Sequence, residues 1–104
     1  MEAGFPAINT YDEVPLFLHG IPLLFNGHLD GGTTWAPLRP LAQALGLTIN
    51  AIVNNTAQLL KPSGGDRFVP LRIIGGKGWS PLRHVCEAAD FSVKLEGGKV
   101  LIDG

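Results

Sequence analysis

A five-residue motif occurs twice in this chain. Trp35-Ala-Pro-Leu-Arg39 returns 44 positions later as Trp79-Ser-Pro-Leu-Arg83. The correspondence continues past the motif. Leu38, Leu41, Ala42 and Leu45 map onto Leu82, Val85, Cys86 and Ala89, which preserves the i, i+3, i+4, i+7 spacing of one apolar helical face. Leu47 and Ile49 then map onto Phe91 and Val93, alternating as strand residues do. A match that keeps helix phase and the following strand implies two copies of one supersecondary unit.

Each unit has a physical reading. Pro37 and Pro81 suit the first turn of a helix, where a fixed φ is pre-organised and the missing N–H costs nothing. Ser80 is a good N-cap for the second helix and Ala36 a poor one for the first. Gly46 should stop the first helix near a left-handed C′ position, and the second should stop near Asp90, giving helices of about three turns. Hairpins follow both helices: Leu47–Val53 with Thr56–Leu60 around Asn54-Asn55, and Phe91–Leu95 with Lys99–Ile102 around Gly97-Gly98. Strands also precede the helices. Val14–Leu18 and Ile21–Phe25 flank the turn His19-Gly20, and Arg67–Ile74 leads into Gly75-Gly-Lys-Gly78. Pro15, Pro22 and Pro70 suit strand starts or sheet edges, since proline cannot donate to a ladder. Lys61–Asp66 joins the halves and is too short for a domain linker. The expected class is α+β: two helix-plus-hairpin repeats, about 14–60 and 67–103, in one domain with an antiparallel sheet curled around short helices.

Composition narrows the function classes. The chain has 104 residues, enough for one ordinary domain. Apolar residues make up 45% and charged residues 16%, so a core can be buried and disorder is not expected. Eight Lys plus Arg against nine Asp plus Glu lack the concentrated basic face that a phosphate-tracking nucleic-acid binder needs. The sequence contains no apolar run of the roughly 18 residues a membrane-spanning helix requires. Met1–Pro15 carries Glu2, Asp12 and Glu13 without a basic n-region or an apolar h-region, so no secretory signal is expected there. The lone Cys86 rules out an internal disulfide and fits either redox compartment.

The motifs resemble a known family. Phe17-Leu-His-Gly20, Asp30-Gly-Gly-Thr-Thr-Trp-Ala-Pro-Leu-Arg39 and Leu41-Ala-Gln-Ala-Leu-Gly46 look like the copper amine oxidase N-terminal (stalk) domain, across Leu16–Leu60, with a partial second match at Trp79–Ile102. The chain departs from the family where Gln43 stands for the frequent Glu, where Ala89-Asp90 replaces Leu-Gly, and where the usual Trp-Asp is missing. It resembles a divergent member. The resemblance implies an accessory domain found beside bacterial cell-wall enzymes, an extracellular or wall-associated setting, and cell-wall polysaccharide or a protein as partner. It also implies no cofactor, because in that family the metal and the modified tyrosine belong to a separate catalytic domain.

Candidate chemistry is sparse. His19, His28 and His84 form no His-x-His or His-x-x-x-His pair, so solvated histidines are expected and a metal site is not. Cys86 falls on the buried stripe, and His84 lies two positions away on another side of the helix, which argues against a catalytic pair. Gly75–Gly78 lacks Walker spacing and reads as a turn. Asp30 and Asp66 read as turn-forming loop carboxylates, since Asp30-Gly-Gly lacks the spaced acids of a calcium loop.

Arg39 and Arg83 stand near the helix starts, where a cation opposes the dipole, so a compensating contact is expected. Trp35 and Trp79 lie four residues earlier, and each guanidinium is expected to fold back over its indole. The four residues are either packing pairs or a surface for an anionic or sugar-like ligand. The leading functional expectation is a non-enzymatic accessory domain for binding or spacing in a bacterial envelope or phage-encoded protein. The alternatives are a structural subunit that oligomerises through an edge strand along Val14–Phe25, and an enzyme with an unrecognised site.

Overall fold

The computed structural model describes residues 13–104. The stretch read for a targeting signal falls almost wholly on residues 1–12, outside the described residues. The chain is α+β, with elements in the order β1 (Glu13–Leu18), β2 (Ile21–Asp30), β3 (Thr33–Pro37), α1 (Leu38–Leu45), β4 (Thr48–Val53), β5 (Thr56–Leu60), β6 (Asp66–Pro70), β7 (Arg72–Ile74), β8 (Lys77–Pro81), α2 (Leu82–Ala88), β9 (Ser92–Glu96) and β10 (Lys99–Asp103). A seven-stranded sheet runs β7-β8-β3-β2-β1-β10-β9 and a three-stranded sheet runs β4-β5-β6.

The tight turns follow from residue type. His19-Gly20, Gly31-Gly32, Asn54-Asn55, Gly75-Gly76 and Gly97-Gly98 all take positive φ at both central residues, as two-residue hairpin loops of matching twist require. Two of these turns, read in the sequence as turns only, close hairpins, β2–β3 and β7–β8. Both hairpins have the same register. Asp30↔Thr33 and His28↔Trp35 correspond to Ile74↔Lys77 and Arg72↔Trp79 at the 44-residue offset.

Several expectations need correction. Trp35-Ala-Pro and Trp79-Ser-Pro are strand residues, and the helices begin one residue after each proline. Pro37 and Pro81 are the N-caps, with extended ψ values of 121° and 125°, so the helices span 8 and 7 residues, shorter than three turns. Ser80 therefore caps nothing. Arg67–Ile74 is two strands in different sheets. Pro70 offers no N–H, and Leu71 is buried at the crossing, where its N–H donates to the carbonyl of Asn55 at 2.8 Å.

The large sheet is also not wholly antiparallel. β1 and β10 pair in parallel, Leu16↔Val100 to Leu18↔Ile102. Nearly the whole chain lies between these two strands, so no tight turn dictates their relative direction. This places β1 inside the sheet, which corrects the expected edge at Val14–Leu18; Pro15 is tolerated because it precedes the β10 pairing. Pro70 does close an edge strand, β6.

One cluster of buried side chains ties the elements together. Leu38, Leu41, Ala42 and Leu45 from α1 meet Leu82, Val85, Cys86 and Ala88 from α2. Ala57, Leu59 and Val69 of the small sheet close it on one side, and Leu16, Ala36, Val100 and Ile102 of the large sheet on the other. Ala88 takes the fully buried place expected of Ala89, which lies partly buried at the C-cap. Both helices end alike. The N–H groups of Leu47 and Phe91 donate to Ala42 and Cys86 carbonyls at 2.8 Å, with Gly46 and Asp90 left-handed between.

Candidate functional site

Side chains alternate across a strand, so the pairings Arg72↔Trp79, Pro37↔Trp79, Trp35↔Pro81 and His28↔Trp35 put these residues on one face of the large sheet. The opposite face, with Ala36 and Ser80, carries the core. Trp35 and Trp79 are diagonal neighbours across β3 and β8.

The contacts differ from those expected. The Arg72 guanidinium lies 4.1 Å from the centroid of the Trp35 ring, and its Nη1 donates to Asp30 Oδ2 at 3.2 Å. Trp79 meets His28 edge-on at 5.9 Å, with the Lys77 ammonium 5.2 Å above the indole. Arg39 and Arg83 are exposed instead, and the Arg83 guanidinium donates to the Val93 carbonyl at 3.5 Å. The reason is directional: the tryptophans project from strands on the outer face, whereas the arginines leave helices on the other side of the sheet. The sequence signal that finds Arg72 is the 44-residue offset read backwards, which pairs His28 with Arg72 opposite the two tryptophans.

Two other expectations change. His28 is buried in β2, not solvated. Asp30 and Asp66 are strand residues with partners: Asp30 binds Arg72, and Asp66 accepts from Gln58 Nε2 at 2.7 Å. His19 lies in its hairpin turn, 3.9 Å from Asp103, and His84 is exposed on α2. Among the described residues no three His, Cys, Asp or Glu side chains gather as a metal site would need. Cys86 is fully buried, and desolvation pushes its thiol up to about 12, so it stays protonated.

Arg39 and Arg83 occupy equivalent positions of another kind. Arg39 lines a groove of about 450 Å³ between the start of α1, β4 and the β7–β8 hairpin. Arg83 lines one of about 310 Å³ between the start of α2, β9 and the β2–β3 hairpin. Each groove combines a helix start and following strand from one half with the two-glycine hairpin of the other. The chain matches no protein-family model, no curated protein and no solved structure.

Proposed function

We propose that the chain is a non-enzymatic accessory domain that binds cell-wall material in a bacterial envelope or phage-encoded protein. On this reading it is a divergent relative of the copper amine oxidase N-terminal (stalk) domain, built as two half-repeats whose sheets curl around the helices. The observation that carries the reading is the outer face. Trp35 and Trp79, one from each half, lie as diagonal neighbours with Arg72, Asp30 and Lys77 around them. Indole rings with hydrogen-bonding cations over their faces suit an anionic or sugar-like ligand held by polar contacts beside the rings. The doubled element order strand–helix–hairpin, with β3 and β8 paired about Ala36 and Ser80, supports the half-repeat reading.

Co-sedimentation with purified peptidoglycan tests it. Wild type is expected in the pellet, and Lys77→Ser with Arg72→Gln is expected to stay largely in the supernatant. Wild type remaining in the supernatant overturns the reading. A second reading, a subunit that associates through an edge, is favoured by β2. Ile21–Phe25 pairs with β1 but not β3, and Leu24 is fully exposed there. A concentration-dependent dimer abolished by Leu24→Lys supports that alternative.

A further inference from the structure

Four of the large apolar residues left in solvent share an unexpected position. Ile52 is opposite buried Ala57, Leu95 is opposite buried Val100, and Ile73 and Leu29 lie on the inward face of the large sheet opposite Gly78 and Thr34. By register all four point toward the interior, yet Ile52 is 46% exposed and Ile73 55%. The two layers splay apart here without enough side chain to fill the gap. Leu71 fills only the space directly over Gly78, where a Cβ would meet its Cδ1 at 3.1 Å. The grooves are therefore unfilled corners of the core, and contiguous apolar surface rimmed by polar residues is what interaction sites expose.

We infer that the groove between β4 and β7 is a docking site for an extended peptide segment of a partner protein, apolar on one face and carrying carboxylates. Two features identify the occupant. β4 and β7 are edges of their sheets, each with one strand neighbour, so both groove walls offer backbone N–H and C=O groups that an added strand can pair with. The groove's charged lining residues are Arg39 and Lys77, with no Asp or Glu among them, and Arg39 makes no ion pair among the described residues. An anionic segment is thus favoured by charge complementarity. The Arg83 groove lacks the second strand edge, because β2 and β3 lie inside the large sheet. The site opens mainly on the opposite side of that sheet from Trp35 and Trp79 and meets the tryptophan face only at Lys77, which also stands over Trp79, so Arg39 rather than Lys77 distinguishes this proposal from the wall-binding reading.

The test is an amide NMR titration of the whole chain with the capped peptide Ser-Val-Glu-Ile-Glu-Val-Glu-Ser and with its lysine-for-glutamate counterpart. The glutamate peptide is expected to bind below about 1 mM, to shift amides of β4, β7 and the start of α1, and to weaken several-fold between about 50 and 500 mM salt. Arg39→Ser, an exposed change that should leave the amide spectrum native-like, is expected to weaken binding about tenfold. Equal binding of both peptides, no binding of either, or shifts confined to the Arg83 groove or the tryptophan face overturn the proposal.

Discussion

The guanidinium of Arg72 stacks on Trp35, two strands away, and reaches past it to Asp30 on a third. One side chain thus bridges β7, β3 and β2. Arg72→Ala removes a half-buried ring contact and an ion pair together and should lower stability by about 1–2 kcal/mol, with Arg72→Lys recovering only part. Arg39→Ala and Arg83→Ala should each stay within about 0.5 kcal/mol, because both side chains are exposed. Urea denaturation of the four variants checks this ordering.

The Ser80 hydroxyl is fully buried and has no hydrogen-bond partner among the described residues. Its partner across β3 and β8 is Ala36, also fully buried. Ser80→Ala should therefore raise stability by about 1 kcal/mol, by removing an unsatisfied polar group. An N-capping serine would give a loss of similar size, so the sign of the change in the urea midpoint is decisive.

Gly27 sits where β2 passes closest to its neighbours. A Cβ there would meet Thr34 Cγ2 at 2.9 Å, and Leu16 Cδ2 and the Trp35 carbonyl oxygen each at 3.2 Å. Gly27→Ala should cost about 1–3 kcal/mol through overpacking against backbone that cannot yield freely. Gly20→Ala, in open space at a left-handed turn, should cost only the backbone strain, about 1 kcal/mol. Thermal melts compare the two.

Asp90 holds the left-handed position that Gly46 holds after α1, and its carboxylate pairs with Lys61 at 2.9 Å. Asp90→Gly should relieve strain and lose the pair, leaving stability within about 0.5 kcal/mol. Asp90→Ala keeps the strain and loses the pair, and should cost about 1–2 kcal/mol. Chemical denaturation at low and high salt separates the two contributions.

The Cys86 thiol ordinarily titrates at 9.0 and is pushed up to about 12 by burial. Between these values the unfolded chain releases its proton while the folded chain keeps it. The stabilisation is thus complete below pH 9 and declines as pH rises toward 12. Cys86→Ala should flatten that alkaline decline. Native protein should react with thiol reagents only at the rate of opening, which a DTNB time course measures.

Local patterns in the chain determined a good deal. The helical stripes of Leu38–Leu45 and Leu82–Cys86, the turns at His19-Gly20, Asn54-Asn55 and Gly97-Gly98, and the Gly46 stop were legible because each depends on residues a few positions apart. So was Cys86 as a core residue, from its place on the stripe. Contacts across strands were not. Which cation lies on Trp35, whether Pro81 starts a helix or ends a strand, and where Leu71 crosses between sheets depend on pairings that span up to about half the chain and carry no local periodicity. The parallel meeting of β1 with β10 is the extreme case. Strand partners are chosen by which apolar faces must be covered together, and only the assembled core imposes that condition. The same condition left Ile52 and Ile73 facing an interior that the chain does not fill.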